Sequence, residues 1–176
     1  MYTIQTLTGK NDITLKAIAH SDLPELAILA NEPAIAANLR DSFPSPSTLE
    51  TATNFHSLIS QGKVGHVWGI YVKDKLAGVI SLIPQTDIYR HSAEIGYWLG
   101  LPYHGKGIMP VAVSLVTDYG FQELHIHRIY AGVFAYNEAS KKVLMKCGYQ
   151  LEAIKKQGVI KNGIMHDEHV MVRLKG

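Results

Sequence analysis

The chain has 176 residues, 47% of them hydrophobic and 18% charged, with a net charge of +2 and a single cysteine. That length predicts one domain, residues 1–176, with a buried core. The charge is too small to argue for nucleic acid, no apolar run reaches a membrane span, and a lone cysteine excludes a disulfide framework. The opening MYTIQTLTGKND lacks the apolar core of a secretion signal, so the expected compartment is the cytoplasm.

Ile13, Leu15 and Ala17 alternate with Thr14 and Lys16 and predict a first strand. Ser21 or Asp22 then caps a helix with Pro24 in its first turn and Leu23, Leu26, Ala27 and Ala30 on one face. Residues Pro33 to Leu39 suit a short second helix, and two prolines hold Ser42 to Thr48 in a loop. From Thr48 to Ile59, the residues Leu49, Ala52, Phe55 and Ile59 recur at helical spacing. His66–Val72 and Leu76–Ile83 read as a hairpin about Lys73-Asp74-Lys75, followed by a polar loop from Gln85 to His91.

The stretch Ala93 to Phe121 organises the rest. Ile95, Tyr97, Trp98 and Leu99 favour a strand, which Gly100 and Pro102 end. A turn through His104-Gly105-Lys106-Gly107 leads into a helix with Ile108, Ala112, Leu115, Val116 and Tyr119 on one face and Pro110 in the first turn. Strand, glycine turn and helix together make an anion site, because the glycines admit a ligand to the backbone and the first helical amides point at it unpaired. A plain connection accounts for the glycines equally well. Gly100 to Lys106 satisfies GxxxxGK, but Gly107 stands where a P-loop needs Ser or Thr, and Pro110 occupies the third glycine position of the dinucleotide fingerprint.

Arg128 to Phe134 is a further strand, Glu138 to Lys146 a helix ended by Gly148, and Tyr149–Gln157 with Met165–Leu174 a closing pair about Lys161-Asn162-Gly163. Antiparallel strands followed by strand-helix-strand-helix predict an α/β fold, a mixed sheet with helices on both faces. His125-x-His127 and His166-x-x-His169 lack a third ligand, so no metal is expected. Cys147 reads as a buried, inert thiol.

The loop and its context, AEIGYWL before it and HRIYAGVFAYNEASKKVLMKCGYQLE after it, resemble the GNAT superfamily of acetyl-CoA-dependent N-acetyltransferases. Within it they are similar to the RimJ/RimL-like branch, which acetylates the N-terminal amino groups of ribosomal proteins. The family signature Gln/Arg-x-x-Gly-x-Gly/Ala aligns with His104-Gly105-Lys106-Gly107-Ile108-Met109, keeping Gly107 and departing at His104 and Met109. The resemblance covers nearly the whole chain and implies a twisted mixed sheet of about six to seven strands, with parallel strands splayed at the coenzyme site. It implies acetyl-CoA as co-substrate, held by Trp98, Leu99, His104, Gly105, Lys106, Gly107, Ile108, Met109, Asn137 and Ser140. A strand bulge would aim the Leu99 amide at the thioester oxygen, and the pantetheine arm would lie along the sheet edge.

Glu94 is the implied general base. An α-amine has a pKa near ~7.7–8.0 against ~10.4 for lysine, and a carboxylate in the cleft takes its proton directly or through one water. Glu94 could instead orient a loop or pair with Arg90. Asn137 and Ser140 match the branch's Asn-x-x-Ser, with Ser140 a helper near the coenzyme sulfur, although they also suit an N-cap and a first helical turn. Many members carry a tyrosine general acid where this chain has Leu144, and a thiol of pKa ~8.5 leaves tolerably as thiolate. Lys141, Lys142 and Lys146 could meet the ribose phosphate or form a solvated face. Phe43, Asp167 and Glu168 would border the acceptor side, or simply pack and hydrate. The expected activity is acetyl transfer to a primary amine by direct attack, first choice the N-terminus of a ribosomal protein. A polyamine or aminoglycoside acceptor is the alternative, and a non-catalytic acyl-CoA-binding protein or a nucleotide-binding protein the rival classes. No nucleic-acid or membrane partner is expected, and a homodimer is compatible.

Overall fold

The computed structural model describes residues 4–176. Its strands are β1 (Leu7–Thr8), β2 (Ile13–Lys16), β3 (His66–Val72), β4 (Lys75–Pro84), β5 (Ser92–Leu99), β6 (Arg128–Phe134), β7 (Gln150–Lys161) and β8 (Ile164–Leu174). Its helices are α1 (Leu23–Ala30), α2 (Pro33–Ala36), α3 (Leu49–Ser60), α4 (Ile108–Gln122) and α5 (Glu138–Lys146). The strands form one mixed sheet of eight in the order β1-β2-β3-β4-β5-β6-β8-β7. Every pairing is antiparallel except β5 with β6, and α4 is the crossover that a parallel pair requires.

Alternation along the strands divides the core into two clusters. Trp68, Ile70, Ile80, Leu82, Ile95 and Leu99 meet Ile108, Ala112, Val113 and Val116 of α4 on one face. Val67, Tyr71, Leu76 and Val79 meet Leu23, Leu26 and Leu29 of α1 and Ala52 of α3 on the other. Trp68 is fully buried with its Nε1–H donating to the Gln5 carbonyl at 2.8 Å, and burying a large apolar side chain in this way contributes about 1.5–3 kcal/mol.

Several element ends differ from expectation for local reasons. A single 3-10 turn, His20–Asp22, precedes α1, and the Asp22 carboxylate accepts from the Ala19 amide (3.2 Å) and Tyr71 hydroxyl (2.6 Å) rather than capping α1. The helix from Pro33 stops at Ala36, since the following turns tighten to three-residue hydrogen bonds, Asn38 to Ile35 and Leu39 to Ala36. Thr48 and Thr51 cap α3 reciprocally, which leaves Leu49 in the first turn 54% exposed instead of on the buried face. The closing hairpin runs to Lys161 because a register shift between Lys155 and Val159 absorbs Gly158, where sequence alone suggested a break.

The expected bulge in β5 is absent, for β4 and β5 pair without interruption from Pro84 with Ala93 to Gly78 with Leu99. The splay arises on the opposite edge. Pairing of β5 with β6 covers only Ser92, Ala93 and Glu94 against Arg128, Ile129 and Tyr130, and beyond Glu94 the two strands part. A seam opens there through the sheet.

Candidate active site

Strand alternation furnishes the walls of the seam. The Gly100 amide donates to the Ala77 carbonyl (2.8 Å), so the backbone groups of even-numbered residues in β5 face β4, and those of Tyr97 and Leu99 face the seam. Across it, the Ala135 amide donates to the Asp167 carbonyl (2.9 Å), so odd-numbered residues of β6 bond to β8 and Gly132 and Phe134 face the seam. The same alternation sends the side chains of Ile95, Tyr97 and Leu99 toward α4, and Trp98 toward α1 and α3. Glu94 shares the parity of Trp98. A cleft of about 700 Å³ follows the seam, and every residue expected at the site lines it: Glu94, Trp98, Leu99, His104 to Met109, Asn137 and Ser140.

At one end lies the glycine turn. Gly105 and Gly107 have φ of 73° and 71°, and no heavy atom stands within 4 Å of the position a Cβ would take at either. Gly107 is the N-cap of α4, and the amides of Ile108 and Met109 fall in the first turn, where no intrahelical acceptor exists. These two residues are 4% and 7% exposed, with their side chains in the core cluster while they line the cleft. That is why a methionine is accommodated where the family signature has a small residue. His104 Nε2 lies 2.7 Å from the Leu99 carbonyl, which only accepts, so Nε2 carries the proton and the turn is tied to β5. Open glycines, outward amides and the positive end of a helix fit a diphosphate.

Along the cleft, Asn137 caps α5, its Oδ1 accepting from the Ser140 amide at 3.1 Å, and its Nδ2 has no partner among the described residues. The Ser140 hydroxyl lies 2.8 Å from that of Tyr97, whose pKa is pushed well above the ordinary phenol value by burial. Leu144 is fully buried and offers no acid. Lys146 lines the cleft, whereas Lys141 is held by the Ala135 carbonyl (2.9 Å) and Glu138. Cys147 is buried, and that burial raises its thiol pKa. Among the described residues no three His, Cys, Asp or Glu side chains gather as a metal site needs.

At the far end Glu94 forms an ion pair with Arg40. The expected alternative partner, Arg90, instead donates to the Asp87 carbonyl at 3.1 Å. Phe43 packs edge-on against Trp98 with centroids 5.7 Å apart. Glu168 lines the cleft while paired with Lys155 at 2.7 Å, whereas Asp167 is engaged by Lys156 (2.8 Å) and the Gln157 amide (2.8 Å). A side cavity of about 330 Å³ adjoins this end, lined by Arg40, Asp41, Phe134, Val159, Ile160, Lys161 and Glu168.

Residues 12–150 match the model of the acetyltransferase (GNAT) domain. The chain belongs to the GNAT family. The "Probable N-acetyltransferase YjcK" of Bacillus subtilis (strain 168) is 44% identical over 101 residues, 57% of this chain and 56% of the relative. The ribosomal protein uS5-alanine N-acetyltransferase of Escherichia coli (strain K12) is 32% identical over 84 residues, 48% of this chain and 43% of the relative. The chain thus spans about half the length of these curated relatives. The solved structure of the microcin self-immunity acetyltransferase MccE in complex with acetyl-CoA and AMP superposes with a TM-score of 0.80 at 26% identity, covering 94% of each chain.

GNAT enzymes use acetyl-CoA. Two residues of this GNAT cleft escaped the sequence reading. Tyr97 was visible only as a strand former, and Arg40 lies 54 positions from its partner with no motif around it.

Proposed function

We propose that this chain is a single GNAT domain catalysing transfer of an acetyl group from acetyl-CoA to a primary amine, with the N-terminal α-amine of a protein as acceptor. One observation supports this above the rest: a single cleft joins an anion-binding helix N-terminus to a carboxylate, Glu94, through a seam edged with unpaired backbone groups. Acetyl-CoA supplies a thioester, an acyl group already activated toward amines. The amides of the first α4 turn, with Gly105 and Gly107, hold its diphosphate. Tyr97, Gly132 and the amides of Leu99 and Phe134 offer backbone groups to the arm that lies in the seam, the Phe134 carbonyl being taken by the Asn137 amide (2.8 Å). The Leu99 amide, whose own carbonyl is already taken by His104, is free to stabilise negative charge on the carbonyl oxygen. Glu94 accepts the amine proton, directly or through a water. Ser140, backed by Tyr97, donates a hydrogen bond to the departing sulfur. A protein terminus is favoured over lysine because its lower pKa asks less of the base, and the uS5-alanine relative is named for such an acceptor.

Calorimetric titration with acetyl-CoA and a screen of N-terminal peptides and polyamines test the reading. Gly107→Asp should abolish acetyl-CoA binding by placing a carboxylate in the open cradle. Glu94→Gln should keep that binding and lower kcat by about 10²–10⁴-fold. A folded chain that fails to bind acetyl-CoA would refute the proposal.

A further inference from the structure

We propose that Arg40 is a specificity-determining residue of the acceptor site: its guanidinium holds the ammonium position at Glu94 and yields it only to an acceptor that brings a positive charge of its own. The inference rests on the transfer reading, since it takes Glu94 to be where the amine arrives.

The Glu94 side chain is 19% exposed and its charge is met by Arg40, whose side chain is 70% exposed. A group that open can leave for solvent, whereas the carboxylate left behind would stand in a half-closed cleft without a counter-ion. Exchange with an ammonium keeps the carboxylate paired throughout. An uncharged group must either strip the pair or stay away from it.

Arg40 is presented by a strap tethered on both flanks. The Lys161 ammonium donates to the Leu39 carbonyl (2.8 Å) and to Asp41 (2.7 Å), the neighbours of Arg40 on either side. The Tyr136 hydroxyl donates to the Ala37 carbonyl (2.6 Å), and Phe43 rests on Trp98. The backbone is therefore anchored while the guanidinium alone is free to move. It also has somewhere to go: Glu168 lines the same two cavities as Arg40, and although Lys155 holds one of its carboxylate oxygens at 2.7 Å, the other can accept from the displaced guanidinium.

The probe is trialanine amide, which carries one ammonium and no carboxylate, titrated calorimetrically into the chain saturated with coenzyme A. Arg40→Ala should tighten its binding about two- to five-fold, the scale of a partly exposed ion pair, and added salt should shrink the difference. Arg40→Lys should stay near wild type. N-acetyltrialanine amide, which has no ammonium, should respond less than about two-fold. Unchanged or weaker binding of trialanine amide to Arg40→Ala, with coenzyme A affinity and melting temperature intact, overturns the proposal. An equal gain for the acetylated peptide also overturns it, since that marks steric opening instead of charge exchange. Should Arg40→Ala lose coenzyme A binding, Arg40→Gln provides the same comparison with the stem retained. Absence of acetyl transfer by every variant, with the binding pattern as expected, sinks the transfer reading and leaves the exchange at Arg40 standing.

Discussion

Ser140 and Tyr97 show how a small motif acquires its meaning from a distant strand. The Asn-x-x-Ser spacing located Ser140, and the capping of α5 by Asn137 explains why the hydroxyl is held in the first turn. The spacing could not disclose what stands behind that hydroxyl. Tyr97 reaches it because β5 alternation turns its ring toward α4, where burial holds the phenol in its protonated form. Either hydroxyl can donate across this contact, and when the phenol does, the serine proton is left free for the sulfur that the proposed reaction brings there. We therefore expect Tyr97→Phe to lower kcat by about 3- to 10-fold, the worth of one hydrogen bond, with KM for acetyl-CoA unchanged in steady-state kinetics. Equal loss in both parameters would mean that the ring is a packing element of the coenzyme site. Glu94 and the loop from His104 to Met109 were legible in the same local way. Arg40 was not, because its pairing with Glu94 depends on how residues 37 to 43 cross the cleft.

Among elements, β4 and β5 carry the site and were the easiest to place, β4 from its hairpin with β3 and β5 from its β-rich composition. Helix ends were harder, and Leu49 marks the reason: periodicity gives a face but not where along the helix its neighbours stop. The uninterrupted register of β4 with β5 depends on Gly78. A Cβ there would lie against the Trp98 carbonyl oxygen and 2.9 Å from Leu99 Cα, so the two strands must separate to admit it. Gly78→Ala should cost about 1–3 kcal/mol in urea unfolding, and it should raise KM for acetyl-CoA because Leu99 moves with the strand. Stability lost with KM unchanged would show that the Leu99 amide tolerates the shift.

At the scale of the whole molecule, three phenols tie layers together. Tyr71, on the α1 side of β3, donates to Asp22; Tyr97 meets α5; and the Tyr149 hydroxyl lies 2.8 Å from Thr117 of α4. Burial raises all three above the ordinary 10.0, and Asp22 adds to the effect at Tyr71. Below pH about 10 both folded and unfolded chains keep these protons, and the stabilisation is complete. Above it the unfolded chain releases protons that the folded chain retains, so stability falls as pH rises. The slope approaches about 1.4 kcal/mol per pH unit for each phenol, and Tyr149→Phe should make denaturant unfolding between about pH 10 and 11 less steep by one such share. The mixed order of the sheet was legible from the change of chain rhythm at Ala93. The width of the seam was not, since it depends on where two strands cease to pair.

That seam makes the stiffness of the molecule uneven. Strands β1 to β5 form one plate and β6, β8 and β7 another, welded at only three paired positions and bridged by α4. Flexure should concentrate along this line, as a board bends at a saw cut. Whatever lodges there would act as a splint across the cut, so a ligand bound as proposed would also lend the rigidity that the backbone leaves unfinished.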